Sequence, residues 1–404
     1  MGIVVKKYGG TSVGSAERIK EVARQIIKAK EKEPEIVVIV SAMSGETDRL
    51  IALGHEICSV PDKREMDVLV STGEQVSSAL LSMALIEMGC PTISLNASQI
   101  EILTDKFHTK AKICKINTDR IMKELSKGKV VIVAGFQGIT EDEDITTLGR
   151  GGSDTTAVAI AGALQADICE IFTDVDGVYT ADPRIVAEAR KLDIISYEEM
   201  LEMASLGAKV LHPRSVELAK KFGVKIHVLS SFVVVHGTIV TEEVADMEEL
   251  LISGVTANAK EAKITVMDIP DKPGMAGKLF SALADVNINI DMIVQSETRG
   301  KTNDISFTVD ETDLQKTIEV VKESVREIGA GEISYDRDIA KVSIVGVGMK
   351  SHSGVASKMF KSLAEHNINI EMISTSEIKI SCIIRISAME EAVRVLHKAF
   401  FDPH

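Results

Sequence analysis

The sequence predicts an α/β protein in two parts: a layered domain with a mostly parallel sheet between helices, then a small βαββαβ unit present twice. Three observations carry this expectation. Short β-branched runs alternate with longer helical patterns through roughly the first 230 residues. Those runs are almost continuously apolar, as strands are when helices cover both faces of their sheet. The last part of the chain then repeats itself at an offset of 80 residues.

In chain order, the candidate strands of the first part are Ile3–Lys7, Ile36–Ser41, Thr92–Leu95, Val130–Ala134, Ile168–Thr173 and Lys225–Leu229. The candidate helices are Ala16–Lys30, Thr47–Ile57, Gln75–Met88, Thr118–Ser126, Asp154–Leu164 and Arg214–Phe222. An acidic turn, Glu141 to Asp144, reads as a solvated loop. In the repeat, Ile264–Glu297 aligns without gaps on Ile344–Glu377, and Asn287-Ile288-Asn289-Ile290 recurs whole as Asn367-Ile368-Asn369-Ile370. Each copy reads strand, glycine turn, helix, then an alternating strand and hairpin, and a further helix completes the βαββαβ unit. The expected domains are 1–240 for the layered part, 241–258 for an acidic linker, and 259–337 and 338–404 for the two copies.

Composition excludes several function classes. The chain has 404 residues, 45% of them hydrophobic, and a formal charge of −14. That acidity argues against nucleic acid or an anionic membrane as partner. The apolar runs fall short of the roughly 18 residues that span a bilayer. Five scattered cysteines without a Cys-x-x-Cys pair read as reduced thiols of a cytoplasmic enzyme.

Three glycine-bearing segments carry the chemistry. Lys7-Tyr8-Gly9-Gly10-Thr11-Ser12-Val13 ends the first strand. Paired glycines there serve either a plain tight turn or an anion cradle of backbone N–H groups, with Lys7 as point charge. Gly149-Arg150-Gly151-Gly152-Ser153-Asp154 opens a helix. Ser153 or Asp154 is a natural cap, while an arginine beside exposed amides makes a carboxylate or phosphate receptor. Thr173-Asp174-Val175-Asp176-Gly177-Val178-Tyr179-Thr180-Ala181-Asp182-Pro183-Arg184 reads as a surface loop, or as a nucleotide-holding loop through Tyr179 and Arg184. His212, before a proline, reads as structural rather than catalytic. No cage of His, Cys and carboxylates stands out, so any Mg²⁺ would arrive with a nucleotide.

Together these motifs resemble aspartate kinase, of the monofunctional kind with two C-terminal ACT domains, over essentially the whole chain. The resemblance implies an amino-acid-kinase fold followed by two ferredoxin-like ACT domains. It implies transfer of the γ-phosphoryl of ATP to L-aspartate, giving 4-phospho-L-aspartate for lysine, threonine and methionine synthesis. By motif, Lys7, Tyr8, Gly9 and Gly10 would sit at the ATP phosphates, with Ser41, Thr173, Asp174, Tyr179, Asp182, Arg184 and Lys209 on the nucleotide. Thr47, Glu74, Arg150, Gly151, Gly152 and Ser153 would hold aspartate, and Asp154 joins Lys7 as catalytic.

The substrate β-carboxylate, with a reference pKa near ~3.9, is already ionised at neutral pH and needs no base. Asp154 is therefore expected to orient a lysine, and Glu74 to meet the substrate ammonium. In the repeats, Asp271, Gly274, Met275 and Ala276 at a helix start, Asp291 and Gln295 on the next strand, and Asn369, Ile370 and Glu371 of the second copy would form an effector site. Lysine, threonine or both would bind there, and edge strands of the repeats would join a homodimer or larger even assembly. The rival readings are another amino-acid-kinase activity and a catalytically silent amino-acid sensor.

Overall fold

The central strands of the first part are apolar on both faces, and they form the middle of an eight-stranded sheet. A computed structural model of the chain describes residues 2–208, 210–242, 252–296, 300–350, 352 and 354–402. These divide into two units. The sheet of the first unit runs, edge to edge, Ile194–Ser196, Thr238–Thr241, Ile226–Ser230, Ile168–Thr173, Val4–Tyr8, Ile36–Val40, Val130–Ala134, Thr92–Leu95. Only the pair Ile226–Ser230 and Thr238–Thr241 is antiparallel.

Every position of Val4–Tyr8, Ile36–Val40 and Val130–Ala134 is buried. The first of these strands buries two lysines, and alternation sends them to opposite faces. Lys6 pairs with Glu33 at 2.7 Å and with Glu170. Lys7 turns to the face covered by the helix Gly152–Ala163, which itself packs on Pro213–Phe222. Ala16–Lys30, capped by Ser15, packs with Thr72–Glu87 on the Tyr8 face, over Val38, Val40 and Ile132.

A second, small sheet joins Ile113–Ile116, Ile102–Thr104, Gln137–Ile139 and Ile145–Thr147 in that order. Its strands of three or four residues left no period to read in the sequence. The helices Lys63–Val70 and Tyr197–Ser205 were not expected either. By length and composition Lys63–Glu87 would suit a membrane span, which the apolar-run argument missed. It is two helices meeting at Ser71, and half of the apolar stretch is buried within the protein.

In the second unit, the first repeat forms a sheet of Ile293–Gln295, Thr302–Asp310, Glu261–Pro270 and Ile333–Asp336, with helices Met275–Asp285 and Leu314–Ile328. The second repeat supplies Ile339–Val345, Met372–Thr375 and Lys379–Arg385, with helices Val355–Glu365 and Met389–Phe401. Its fourth strand is Gly254–Asn258, which runs antiparallel to Ile339–Val345 with Val255 opposite Ile344. The expected linker 241–258 therefore ends in a strand of the second repeat, and the first repeat is inserted behind it. Residues 243–251 of that linker lie outside the described residues.

The two repeats share a small core in which Met292 and Met372, equivalent positions, pack with Ile339 and Ile383. Residues 179–190, expected in the catalytic domain, belong to the second unit. Ala181 and Val186 enter its core, the Val255 N–H donates to the Thr180 carbonyl at 2.8 Å, and Thr180 Oγ1 meets His397 Nε2 at 2.9 Å.

Candidate active site

Lys7 is the fourth buried position of the strand Val4–Tyr8, and its Nζ lies 2.6 Å from Asp154 Oδ1. Both side chains are nearly enclosed, so the ammonium is held in place rather than swept through solvent. Asp154 sits in the first turn of Gly152–Ala163, where a negative group is favoured by the helix dipole. The turn before it depends on Gly151, at φ +68°, the left-handed cap of that helix. A Cβ on Gly151 would stand 2.2 Å from Cγ of His212. His212 in turn caps Pro213–Phe222, its Nδ1 accepting the Arg214 N–H at 3.4 Å. Burial lowers the imidazole pKa, which favours the neutral acceptor that the cap needs. The structural role expected for His212 is the one it fills, and it packs behind the turn at Gly151.

Around Lys7 lies a cleft of about 230 Å³ lined by Ser41, Thr47, Glu74, Phe136 and the turn Gly149 to Asp154. Thr47 is half-buried on the first turn of Glu46–Ile57. Glu74 is buried on Thr72–Glu87; its Oε1 accepts the Ala42 N–H at 3.0 Å, and its Oε2 accepts no hydrogen bond from the described residues. Desolvation pushes this carboxyl up to about 7. Arg150 is exposed at the rim. Phe136 had no signal in the sequence. It holds φ +70°, rare for a bulky residue, with its N–H donated to Thr156 Oγ1 and its carbonyl accepting from Leu148.

The structure thus brings together Lys7, Ser41, Thr47, Glu74, Arg150, Gly151, Gly152, Ser153 and Asp154. Gly9 and Gly10 follow the Lys7 strand directly. Gly10 presses on the next loop so closely that a Cβ would stand 2.9 Å from the Ala42 carbonyl oxygen. Tyr8 is a correction. Alternation along the strand turns its side chain away from Lys7, and the ring stacks on Phe172 at 4.6 Å inside the core, 1% exposed. Thr173 and Asp174, hydrogen-bonded to each other, end the strand beside Lys7's. Tyr179, Asp182 and Arg184 lie in the segment that belongs to the second unit, where Arg184 and Asp182 form an ion pair at 2.7 Å. Lys209 lies outside the described residues.

In the second unit, Gly274, at φ +93°, caps Met275–Asp285, so Asp271, Met275 and Ala276 flank a helix N-terminus as expected. Gln295 is exposed on its strand, and Asn369 and Ile370 precede Met372–Thr375. The two acids do not stand open. Asp291 pairs with Lys341, which also pairs with Glu261; Glu371 pairs with Lys263 and, at 2.8 Å, with Arg385. Their charges tie one repeat to the other, which corrects their expected place as ready ligands of an effector ammonium.

Residues 2–230 match the model of the amino acid kinase family, and residues 264–325 and 342–400 match that of the ACT domain. The aspartate kinase of Stutzerimonas stutzeri is 54% identical over 401 residues, covering 99% of this chain and 97% of its own. The aspartokinase of Pseudomonas aeruginosa is 54% identical over 402 residues, covering 99% and 98%. Escherichia coli aspartokinase III in complex with aspartate and ADP superposes with a TM-score of 0.84 at 26% identity, over 99% of this chain and 100% of that one. The same enzyme in complex with lysine and aspartate superposes at 0.77, also with 26% identity and the same coverage.

Proposed function

The chain belongs to the aspartate kinase family, an amino acid kinase domain followed by ACT domains, and from that premise we propose how its residues divide the work. The protein is an ATP-dependent phosphotransferase that makes 4-phospho-L-aspartate from aspartate, in the synthesis of aspartate-derived amino acids, under feedback control through its ACT domains. The observation that carries the division of labour is the Lys7–Asp154 pair in a cleft shared with Arg150 and Glu74.

An aspartate carboxylate and a nucleotide triphosphate repel each other, so the site must first neutralise charge. Lys7 does this for the transferring phosphoryl, with Gly9 and Gly10 giving backbone N–H groups close approach, and Asp154 holds the ammonium in position. The carboxylate oxygen bonds to the γ-phosphorus as the bond to the ADP oxygen breaks. No proton has to be removed. Arg150 takes a substrate carboxylate beside the amides of the Gly151-Gly152-Ser153 turn. A buried carboxylate oxygen without a protein donor calls for a cation, and the substrate ammonium at Glu74 supplies one, with Thr47 beside it.

Ser41, Thr173 and Asp174 serve the nucleotide, and Lys209 joins them by its motif. Mg²⁺ would arrive with the nucleotide, whose phosphate oxygens would hold it. The ACT pair binds an allosteric amino acid and supports oligomerisation. We assign lysine, threonine or both as that effector, a homodimer joined through the ACT units as the assembly, and the cytoplasm as the location, where exposed Cys58 and Cys114 stay reduced.

Initial rates test the substrate side. Arg150→Lys is expected to raise KM for aspartate by about tenfold or more and leave KM for ATP within about twofold, because lysine lacks the bidentate fork. A rise confined to ATP would move Arg150 to the nucleotide.

A further inference from the structure

The turn that carries Arg150 is held from outside at nearly every residue, by groups that do not line the cleft. Asp67, on Lys63–Val70, is fully buried. Its carboxylate accepts the Thr147 hydroxyl at 2.5 Å and the Thr109 N–H at 2.9 and 3.1 Å, and lies 2.9 Å from His108 Nδ1. On the other side Arg214, half-buried, donates to the Leu148 carbonyl at 2.5 Å and to the Ala111 carbonyl at 3.0 Å. The Ala111 N–H closes the frame on the Thr147 carbonyl at 2.9 Å. Gly149 lies so close to the Thr109 carbonyl that a Cβ would stand 2.9 Å from it, and Gly151 lies against His212.

We propose that Asp67 and Arg214 are positioning residues for aspartate recognition: they fix the backbone that leads into Arg150, at Thr147 and Leu148, so that its guanidinium is presented in one place. This rests on the reading of Arg150 as the carboxylate clamp. A fully buried charge and a half-buried one are costly to keep, and these two satisfy loop atoms rather than each other. A planar fork recognises a carboxylate only in a narrow range of orientations. A turn that must be ordered at the moment of binding charges that entropy to the substrate. Loosening the frame therefore raises KM for aspartate while the phosphoryl transfer, made at Lys7, keeps its rate once the substrate is bound.

The test is a two-by-two set of initial rates on the full-length enzyme: wild type, Thr147→Val, Arg150→Lys and the double variant. Thr147→Val deletes only the hydroxyl that Asp67 holds. It is expected to raise KM for aspartate about tenfold, the order of one lost buried hydrogen bond, with kcat and KM for ATP within about twofold. In the Arg150→Lys background the same change is expected to add less than about twofold, because the guanidinium it positions is gone. Arg214→Lys, which keeps the charge and one of the two carbonyl bonds, is expected to shift KM for aspartate the same way by less, and it stands in if Thr147→Val does not fold. Equal rises in both KM values, a fall in kcat at unchanged KM, or full additivity in the double variant would overturn the proposal. If Arg150→Lys alone left KM for aspartate unchanged, the clamp reading would fail with it; if only Thr147→Val and Arg214→Lys were silent, the clamp would stand and the frame would not.

Discussion

Glu74 is the residue whose ionisation the site most depends on. Burial holds its carboxyl at about 7 in the absence of substrate, so near neutral pH it is part protonated. On the proposed reading the substrate ammonium meets the charged form, so binding expels a proton whenever the pH is below about 7. Between pH 6 and pH 8, KM for aspartate is expected to fall about tenfold, and Glu74→Gln is expected to flatten that dependence; an unchanged profile in the variant would remove Glu74 from the ammonium. For stability the sign is opposite to that of an ordinary salt-bridged acid. The native value lies above the reference of 4.5, so the contribution is full below about 4.5 and is lost as pH rises through about 7. Glu74 itself was legible because Ser71-Thr72-Gly73-Glu74 is a short motif. Phe136 was not, since its positive φ is imposed by Thr156 and Leu148, contacts that no local pattern encodes. Tyr8 could have been placed from the strand's two-residue period: if Lys7 faces the cleft, its neighbour cannot.

At the scale of elements, the readable ones were those with a period. Ala16–Lys30 has its Ser15 cap, an acidic first turn and basic last turn, and its bounds in the structure are those expected. The strands Val130–Ala134 and Thr92–Leu95 were likewise read to the residue. Strands of three or four residues, such as Gln137–Ile139 and Ile145–Thr147, were invisible because they draw their stability from partners and not from sequence. Gly254–Asn258 was missed for a related reason. Its partner Ile339–Val345 lies beyond a whole inserted repeat, so nothing nearby marks it as a strand. The repeated elements carry a prediction of their own. Met275–Asp285 opens on a left-handed glycine with N–H groups free to meet a carboxylate, and Gln295 lies exposed on the following strand. Gln295→Ala is expected to weaken inhibition by lysine, threonine or their mixture severalfold, for a coupling of about 1–3 kcal/mol in the wild type. The uninhibited kcat should stay within about twofold; identical effector titrations for the two proteins would take Gln295 out of the effector site.

For the whole molecule, two units with separate cores hold separate tasks. The first gathers Lys7, Glu74, Arg150 and Asp154 from a strand, two helices and a turn over more than 140 residues of sequence. In the second, ion pairs of Lys341 with Glu261 and Asp291, and of Lys263 with Glu371, lock one repeat to its duplicate. The chain order of these units was legible from periodicity and duplication. Their membership was not, because residues 179–190 follow a strand of the first unit yet bury Ala181 and Val186 in the core of the second. The central claim is that phosphoryl transfer to aspartate depends on the buried ammonium of Lys7. Its most direct test is single-turnover formation of ADP and acyl phosphate from ATP and aspartate, comparing the wild type with Lys7→Ala at saturating substrates. The account predicts a rate at least about 100-fold lower in the variant, the order expected for loss of a transition-state charge partner; transfer at the wild-type rate would contradict it.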